Sequence, residues 1–304
     1  MKTAFYASLA IVPWVAVTLM VRWLISIQGW PVGLVGASSR AVSLPLLLLW
    51  IAAFGAGWRS LRPRGQGGWL ILMALIAVFI NLLWFNAVRW TTATNVGMLI
   101  RCDVVFVVLI GSALGLERIG LRQLALIPVM AVGLALLVEI HAFDWGGHIL
   151  GDAMTVGAAF GFSVNAFIIR HIMRTMEESP VAFYNHAGSM LGFIGLGLVG
   201  GDFARLTDVF ASPMAALSFL TLGALVALSL PLYYFALRRL DVWKLRMFML
   251  AGPVLTAAVE WPLWGMNMSP LQWLGGAIIL ASLAILIRME WQLSVQKKAA
   301  ARPG

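Results

Sequence analysis

LWFNAVRWTTATNVGML at residues 83–99 and LYYFALRRLDVWKLRMF at residues 232–248 read as two copies of one corner of the chain. Sliding one onto the other by 149 residues pairs Ala87 with Ala236, Arg89 with Arg238 and Met98 with Met247. The same offset pairs Gln123 with Gln272, far outside the quoted stretch. Both copies lie within long apolar runs, so the repeat is a repeat of hydrophobic segments. If each copy holds an odd number of membrane crossings, the two must lie in the bilayer with opposite orientation.

Composition supports that setting. The 304 residues are 62% hydrophobic and 11% charged, with a mean hydropathy of +0.93. Soluble domains carry nearer one quarter charged residues, so this chain lacks the polar surface to cover a soluble core. It reads as an all-α integral membrane protein. The net charge of +9 does not form a nucleic-acid face, because the basic residues fall in short clusters between apolar runs. The one cysteine, Cys102, excludes an intramolecular disulfide and a cysteine metal motif.

Runs of roughly 20 apolar residues cross the hydrocarbon as helices. Ten are expected, at about 5–26, 32–54, 68–88, 92–113, 121–139, 150–170, 181–200, 214–236, 243–263 and 271–289. The first is long enough to be a span and lacks a signal-peptide cleavage pattern. Alternate connections concentrate the basic residues: Lys2, then Arg59, Arg62 and Arg64, then Arg118 and Arg122, then Arg170 and Arg174, then Arg238 and Arg239, and a basic tail. The other set holds only Arg89 and Arg205. The positive-inside rule then places both termini in the cytoplasm of a bacterial inner membrane. Two five-span units, residues 1–145 and 146–290 with a tail at 291–304, are therefore inverted. Inverted repeats are a common architecture of secondary transporters, with substrate held near the midplane between the halves. Trp30, Trp90, Trp145, Trp58, Trp243 and Trp291 fall near span ends, as interfacial anchors do.

The motifs resemble the drug/metabolite transporter superfamily, specifically its ten-span branch built from two EamA-type repeats. Trp14 and Arg22 have the spacing of that family's first helix, and Arg40 in GASSRAVSLPLLL matches its second. The corners Ala87-Val88-Arg89-Trp90-Thr91 and Ala236-Leu237-Arg238-Arg239-Leu240 match the turn between helices three and four. Gly115-Leu116-Glu117-Arg118 matches the exit of helix four, and Gln123 and Gln272 open the fifth helix of each copy. The resemblance implies a cavity lined by spans one to four and six to nine, with spans five and ten peripheral and able to support a homodimer. It also implies a small metabolite as cargo, above all an exported amino acid or related zwitterion moved by alternating access. Two departures stand out. Where the family's fourth helix has a proline this chain has Arg101-Cys102-Asp103, while the second copy keeps Pro253; the second copy also has Gly265-Met266-Asn267 in place of the exit glutamate.

Charges inside spans are costly and are functional candidates by default. Arg101 and Asp103 point about 200° apart on a helix, so each needs a partner elsewhere. An Arg40–Asp103 pair would leave Arg101 to face an anionic group; a buried pair that only fixes helix register is the alternative. Trp14, Asn81, Asn165 and His186 complete the candidate substrate site. His186 keeps proton coupling open, although a lone histidine in a helix is more often simply hydrogen-bonded. Arg22, Glu260 and Asp152 are gate or vestibule candidates: either acid could pair with Arg22, and Asp152 also suits a helix N-terminus. Lys244 and Arg246 are expected to snorkel to anionic lipid. Gly252 and Pro253 form a candidate hinge, since proline removes a backbone hydrogen bond.

Other chemistries find little support. No nucleophile–base pair is visible, and Gly65-Gln66-Gly67-Gly68 lacks the Lys-Ser/Thr of a phosphate loop. His141, His148 and Asp144 share no metal-ligand spacing, so neither metal nor cofactor is expected. The expected partners are the small-molecule substrate, membrane lipid and a second copy of the chain, with no nucleic acid. The nearest rival cargo is an organic anion or phosphorylated metabolite.

Overall fold

The computed structural model describes residues 2–54, 57–91, 93–117, 119–137, 148–265 and 269–300. Helices occupy all ten expected stretches. The first unit comprises α1 (Lys2–Arg22, extended by a π-helical turn Trp23–Ile27), α2 (Val32–Phe54) and α3 (Gly67–Trp90). It continues with α4 (Ala93–Leu99) and α5 (Asp103–Ala113), which together form span four, and α6 (Leu121–Leu124) and α7 (Leu126–Leu137), which form span five. The second unit comprises α8 (Ile149–Ile172), α9 (Glu178–Gly200), the short α10 (Leu206–Ala211) and α11 (Pro213–Arg239). Span nine is α12 (Val242–Met249) with α13 (Ala251–Trp264), and span ten is α14 (Pro270–Ala300). Eight of these segments are long and apolar enough to cross a membrane, and α9 with its bent continuation makes a ninth. The tenth, Leu121–Leu137, is a shorter apolar helix.

Local sequence explains the boundaries. The corner that repeats in the sequence ends α3 and α11 in the same way. Thr91 and Leu240 are extended, and each donates its N–H to the carbonyl of Ala87 or Ala236 one turn back. Both alanines are wholly buried. The repeated glutamine is a helix cap: Gln123 Oε1 accepts from Gly120 N–H, and Gln272 Oε1 accepts from Ser269 N–H, each at 2.9 Å. In the second copy Ser269 returns the bond to Gln272 N–H, which completes a capping box. At the start of α11, Ser212 accepts from Ala215 N–H and Pro213 occupies the first turn.

Helix packing displays the inverted symmetry directly. α3 packs on α8 as α1 packs on α11; α3 packs on α9 as α11 packs on α2; and α5 packs on α8 as α13 packs on α1. The pairs α2–α9 and α7–α14 relate corresponding helices of the two units and so straddle the pseudo-twofold axis. At α7–α14 the backbones nearly touch: a Cβ on Gly275 would collide with the Gly133 carbonyl oxygen. Close approach through small residues is how helices gain packing energy where lipid removes the hydrophobic driving force. The outer surface carries Leu49, Phe54, Ile71, Leu75, Leu109 and Leu191, all well exposed, which is the face that hydrocarbon covers.

Two spans are broken at matching positions. Span four tightens to a 3-10 turn over Ile100–Cys102, and Asp103 N–H bonds back to Ile100. Span nine breaks at Leu250, whose N–H bonds back to Met247 at 3.1 Å. Leu250 is the repeat partner of Arg101. The sequence suggested that a charged pair replaced the kink in the first copy. The structure corrects this: the break persists without proline, made by i→i+3 bonding in place of i→i+4.

Candidate functional site

The broken spans meet through an ion pair. Arg246 Nη1 of α12 lies 3.1 Å from Asp103 Oδ2 at the head of α5, and both side chains are largely buried. Arg246 Nη2 also donates to the Phe162 carbonyl of α8 at 3.2 Å, and its guanidinium faces the Tyr233 ring of α11 at 5.7 Å. Ser163 Oγ donates to the Asp103 carbonyl at 3.0 Å, which ties α8 to the same point. Arg246 was expected to reach lipid. Instead the break at Leu250 shortens α12, so that Arg246 on its last turn points inward at Asp103.

Arg101 stands within electrostatic range of both Asp103 and Arg246, yet among the described residues it makes no ion pair or hydrogen bond, and its Nε is buried without a partner. The hydroxyls of Tyr233 and Tyr234 and the Asn165 Oδ1 are likewise buried and unpartnered. Buried polar atoms are normally hydrogen-bonded, so these orphaned atoms, of which the two tyrosines lie within electrostatic range of Arg246, are candidates to meet a polar guest. Trp14 borders it, with its ring 6.4 Å from that of Tyr233. Beside the break in span nine, a Cβ on Gly252 would meet nothing within 4 Å, so the hinge has room around it.

Arg40 is not brought to Asp103. Its guanidinium lies over the Phe193 ring at 4.7 Å and donates to Ser39 Oγ, while its Nε is buried and unpartnered. The face of α2 that carries Arg40 turns toward α9, where His186 Nδ1 sits 2.8 Å from Ser43 Oγ. Arg40 and His186 thus form a second polar station between α2 and α9. Asn81 lies on α3, the helix whose neighbouring Ile80 packs against Gly161 of α8.

Near each end of the bundle a carboxylate ties two spans together. At one end Glu260 of α13 accepts on both its oxygens from Arg22 Nη1, each at 2.7 Å, one of the two pairings that the sequence left open for Arg22. Asp152 does not join them. In the first turn of α8 it accepts from Thr91 Oγ1 and from Asn95 Nδ2, and so fixes the turn between α3 and α4. At the other end Glu117, after α5, accepts from the N–H groups of Val242 and Trp243 and from Arg170 Nη1 of α8. The carboxylate thereby satisfies the orphan donors at the start of α12. Burial pushes the Glu117 carboxyl above the ordinary carboxylate range, against the pull of those two N–H groups and of Arg170.

Residues 1–139 and 149–288 match the EamA-like transporter family. The chain belongs to that family. An uncharacterized transporter of Archaeoglobus fulgidus is 25% identical over 256 residues, covering 82% of this chain and 85% of its own. A crystal structure of a protein only 17% identical superposes with a TM-score of 0.70, covering 91% of this chain and 96% of the other. That likeness speaks for the fold.

Two residues of this EamA-like transporter were not legible as site residues. Arg246 lies too near a span end to be told from a snorkelling arginine, and Glu117 was read only as a motif. Trp243, expected at the interface, is wholly buried instead, because Glu117 holds its backbone inside the protein. Lys244 does stay near the end of its span, 2.7 Å from Asp241. Among the described residues no group of three His, Cys, Asp or Glu could hold a metal ion. His148 Nδ1 lies 3.1 Å from the Trp90 carbonyl, while His141, Asp144, Trp145, Arg118, Met266 and Asn267 lie outside the described residues.

Proposed function

We propose that this EamA-like transporter is a secondary-active carrier. It moves a small carboxylate-bearing metabolite across a bacterial inner membrane by alternating access, with both termini in the cytoplasm. The observation that carries the reading is Arg101: a guanidinium that makes no ion pair among the described residues, in the break of one discontinuous span, beside the ion pair that bridges to the other. Discontinuous helices near the midplane are where transporters of this kind hold substrate. Trp14, Asn165, Tyr233 and Tyr234 would line the same site. Arg40 and His186 would form a second station on the path.

The closures at the two ends give the cycle its gates. Arg22–Glu260 would open toward the periplasm, and Glu117 with Arg170 and α12 would open toward the cytoplasm. Rocking one unit against the other would break them in turn. Amino acids and simple organic anions both carry the carboxylate that Arg101 would bind.

Flux in reconstituted vesicles, with labelled amino acids and monocarboxylates supplied as a panel, tests this. Arg101→Ala and Asp103→Ala are each expected to abolish uptake while leaving folded, monodisperse protein. Unimpaired flux in both variants would refute the assignment of the site. In the same vesicles an imposed pH gradient separates proton-coupled movement from uniport or exchange.

A further inference from the structure

The charges within the spans are not evenly matched. Glu260 has both oxygens on Arg22, and Asp103 is held by Arg246 at 3.1 Å. Each acid that a zwitterion's ammonium group would need is therefore already committed to an arginine. The cations are in excess: Arg101 and Arg40 have no ion-pair partner among the described residues. Around the break in span four, the described residues set two guanidinium groups against one carboxylate, an excess of one positive charge.

A charge partly withdrawn from water within a span is disfavoured unless something neutralises it. A zwitterion brings no net charge, and its ammonium group would face Arg101 and Arg246. A single carboxylate balances the centre and suits the planar fork of a guanidinium. The hydroxyls of Tyr233 and Tyr234, unpartnered among the described residues and within electrostatic range of Arg246, would add donors beside the same ion pair. Trp14 and Tyr233, with rings 6.4 Å apart, offer an apolar wall for the rest of the molecule.

We infer that the cargo is an organic monoanion recognised through one carboxylate by Arg101, and that amino acids are discriminated against because Asp103 and Glu260 are engaged by Arg246 and Arg22. This rests on the transport reading, but binding tests it separately from flux. Melting midpoints of the purified full chain would be measured with matched pairs: acetate and glycine, butyrate and 2-aminobutyrate, 3-phenylpropionate and phenylalanine.

The simple carboxylate is expected to raise the midpoint in at least one pair, by more than its amino counterpart, and Arg101→Met is expected to abolish the rise. Without ligand, Arg101→Met should melt no lower than wild type, since it removes an uncompensated charge. Arg246→Met should melt lower, since it strands Asp103. The inference is overturned by any of four results: amino partners that stabilise as well or better, a rise that survives Arg101→Met, no rise in any pair, or Arg101→Met melting as low as Arg246→Met. Failure of Arg101→Met to fold while Arg101→Lys folds would overturn it too, by showing that the charge is structural. An Arg101-dependent rise without vesicle flux would instead refute transport and leave the charge assignment standing.

Discussion

Arg101 and Asp103 stand two residues apart at a helix break, yet among the described residues only Asp103 makes an ion pair. Their importance was legible because charges in a 20-residue apolar run are rare. Their partners were not, because a partner depends on which face of a neighbouring helix turns inward. Glu117 shows the same limit: its place after span four was readable, while its three donors come from α8 and α12, far along the chain. Its chemistry makes a prediction. A folded-state value above the ordinary glutamate pKa of about 4.3 means that the folded protein holds this proton more tightly than the unfolded chain. The contribution is complete below the unfolded value and is lost as pH rises through the folded one. Melting midpoints measured upward from about pH 4 should therefore fall more steeply in wild type than in Glu117→Gln, where the carboxyl no longer titrates. Parallel profiles would contradict this account of Glu117.

Among the elements, the ten apolar helices were readable from hydropathy, and the two capping glutamines from their shared offset. The break in span four was not. Pro253 announces the break in the second copy, but the first copy has no proline, and a switch to i→i+3 bonding leaves no residue signature. The contact of α7 with α14 also belongs to this scale. The runs containing Gly133 and Gly275 are small-residue stretches, but only the structure shows that the two glycines face each other across the axis. A side chain on Gly275 has nowhere to go, since the obstructing atoms are backbone. Gly275→Val should lower stability by about 1–3 kcal/mol, the usual cost of overpacking, as read in the melting midpoint of the purified protein. Unchanged melting would mean that α14 can move away from α7 at little cost.

For the whole molecule, the offset of the repeat and the one-sided basic clusters were enough to anticipate an inverted pair of five-span units, and helix packing reproduces that symmetry pair by pair. What the symmetry could not supply is the asymmetry of its ends. Glu260 pairs with Arg22 near one, and Glu117 holds the start of α12 near the other, and in the proposed cycle these contacts are the closures. A carrier that alternates must open them one at a time, and the chain holds a natural reporter between them. Cys102, its one cysteine, is free and sits in the break of span four beside Arg101. Membrane-impermeant thiol labelling of Cys102 in sided vesicles tests the central claim most directly. Glu260→Gln, which loosens the Arg22 closure, should raise labelling from the periplasmic side, and Glu117→Gln should raise it from the side bearing the termini. Labelling that rises from the same side in both variants, or from neither side in either, would contradict alternating access around this site.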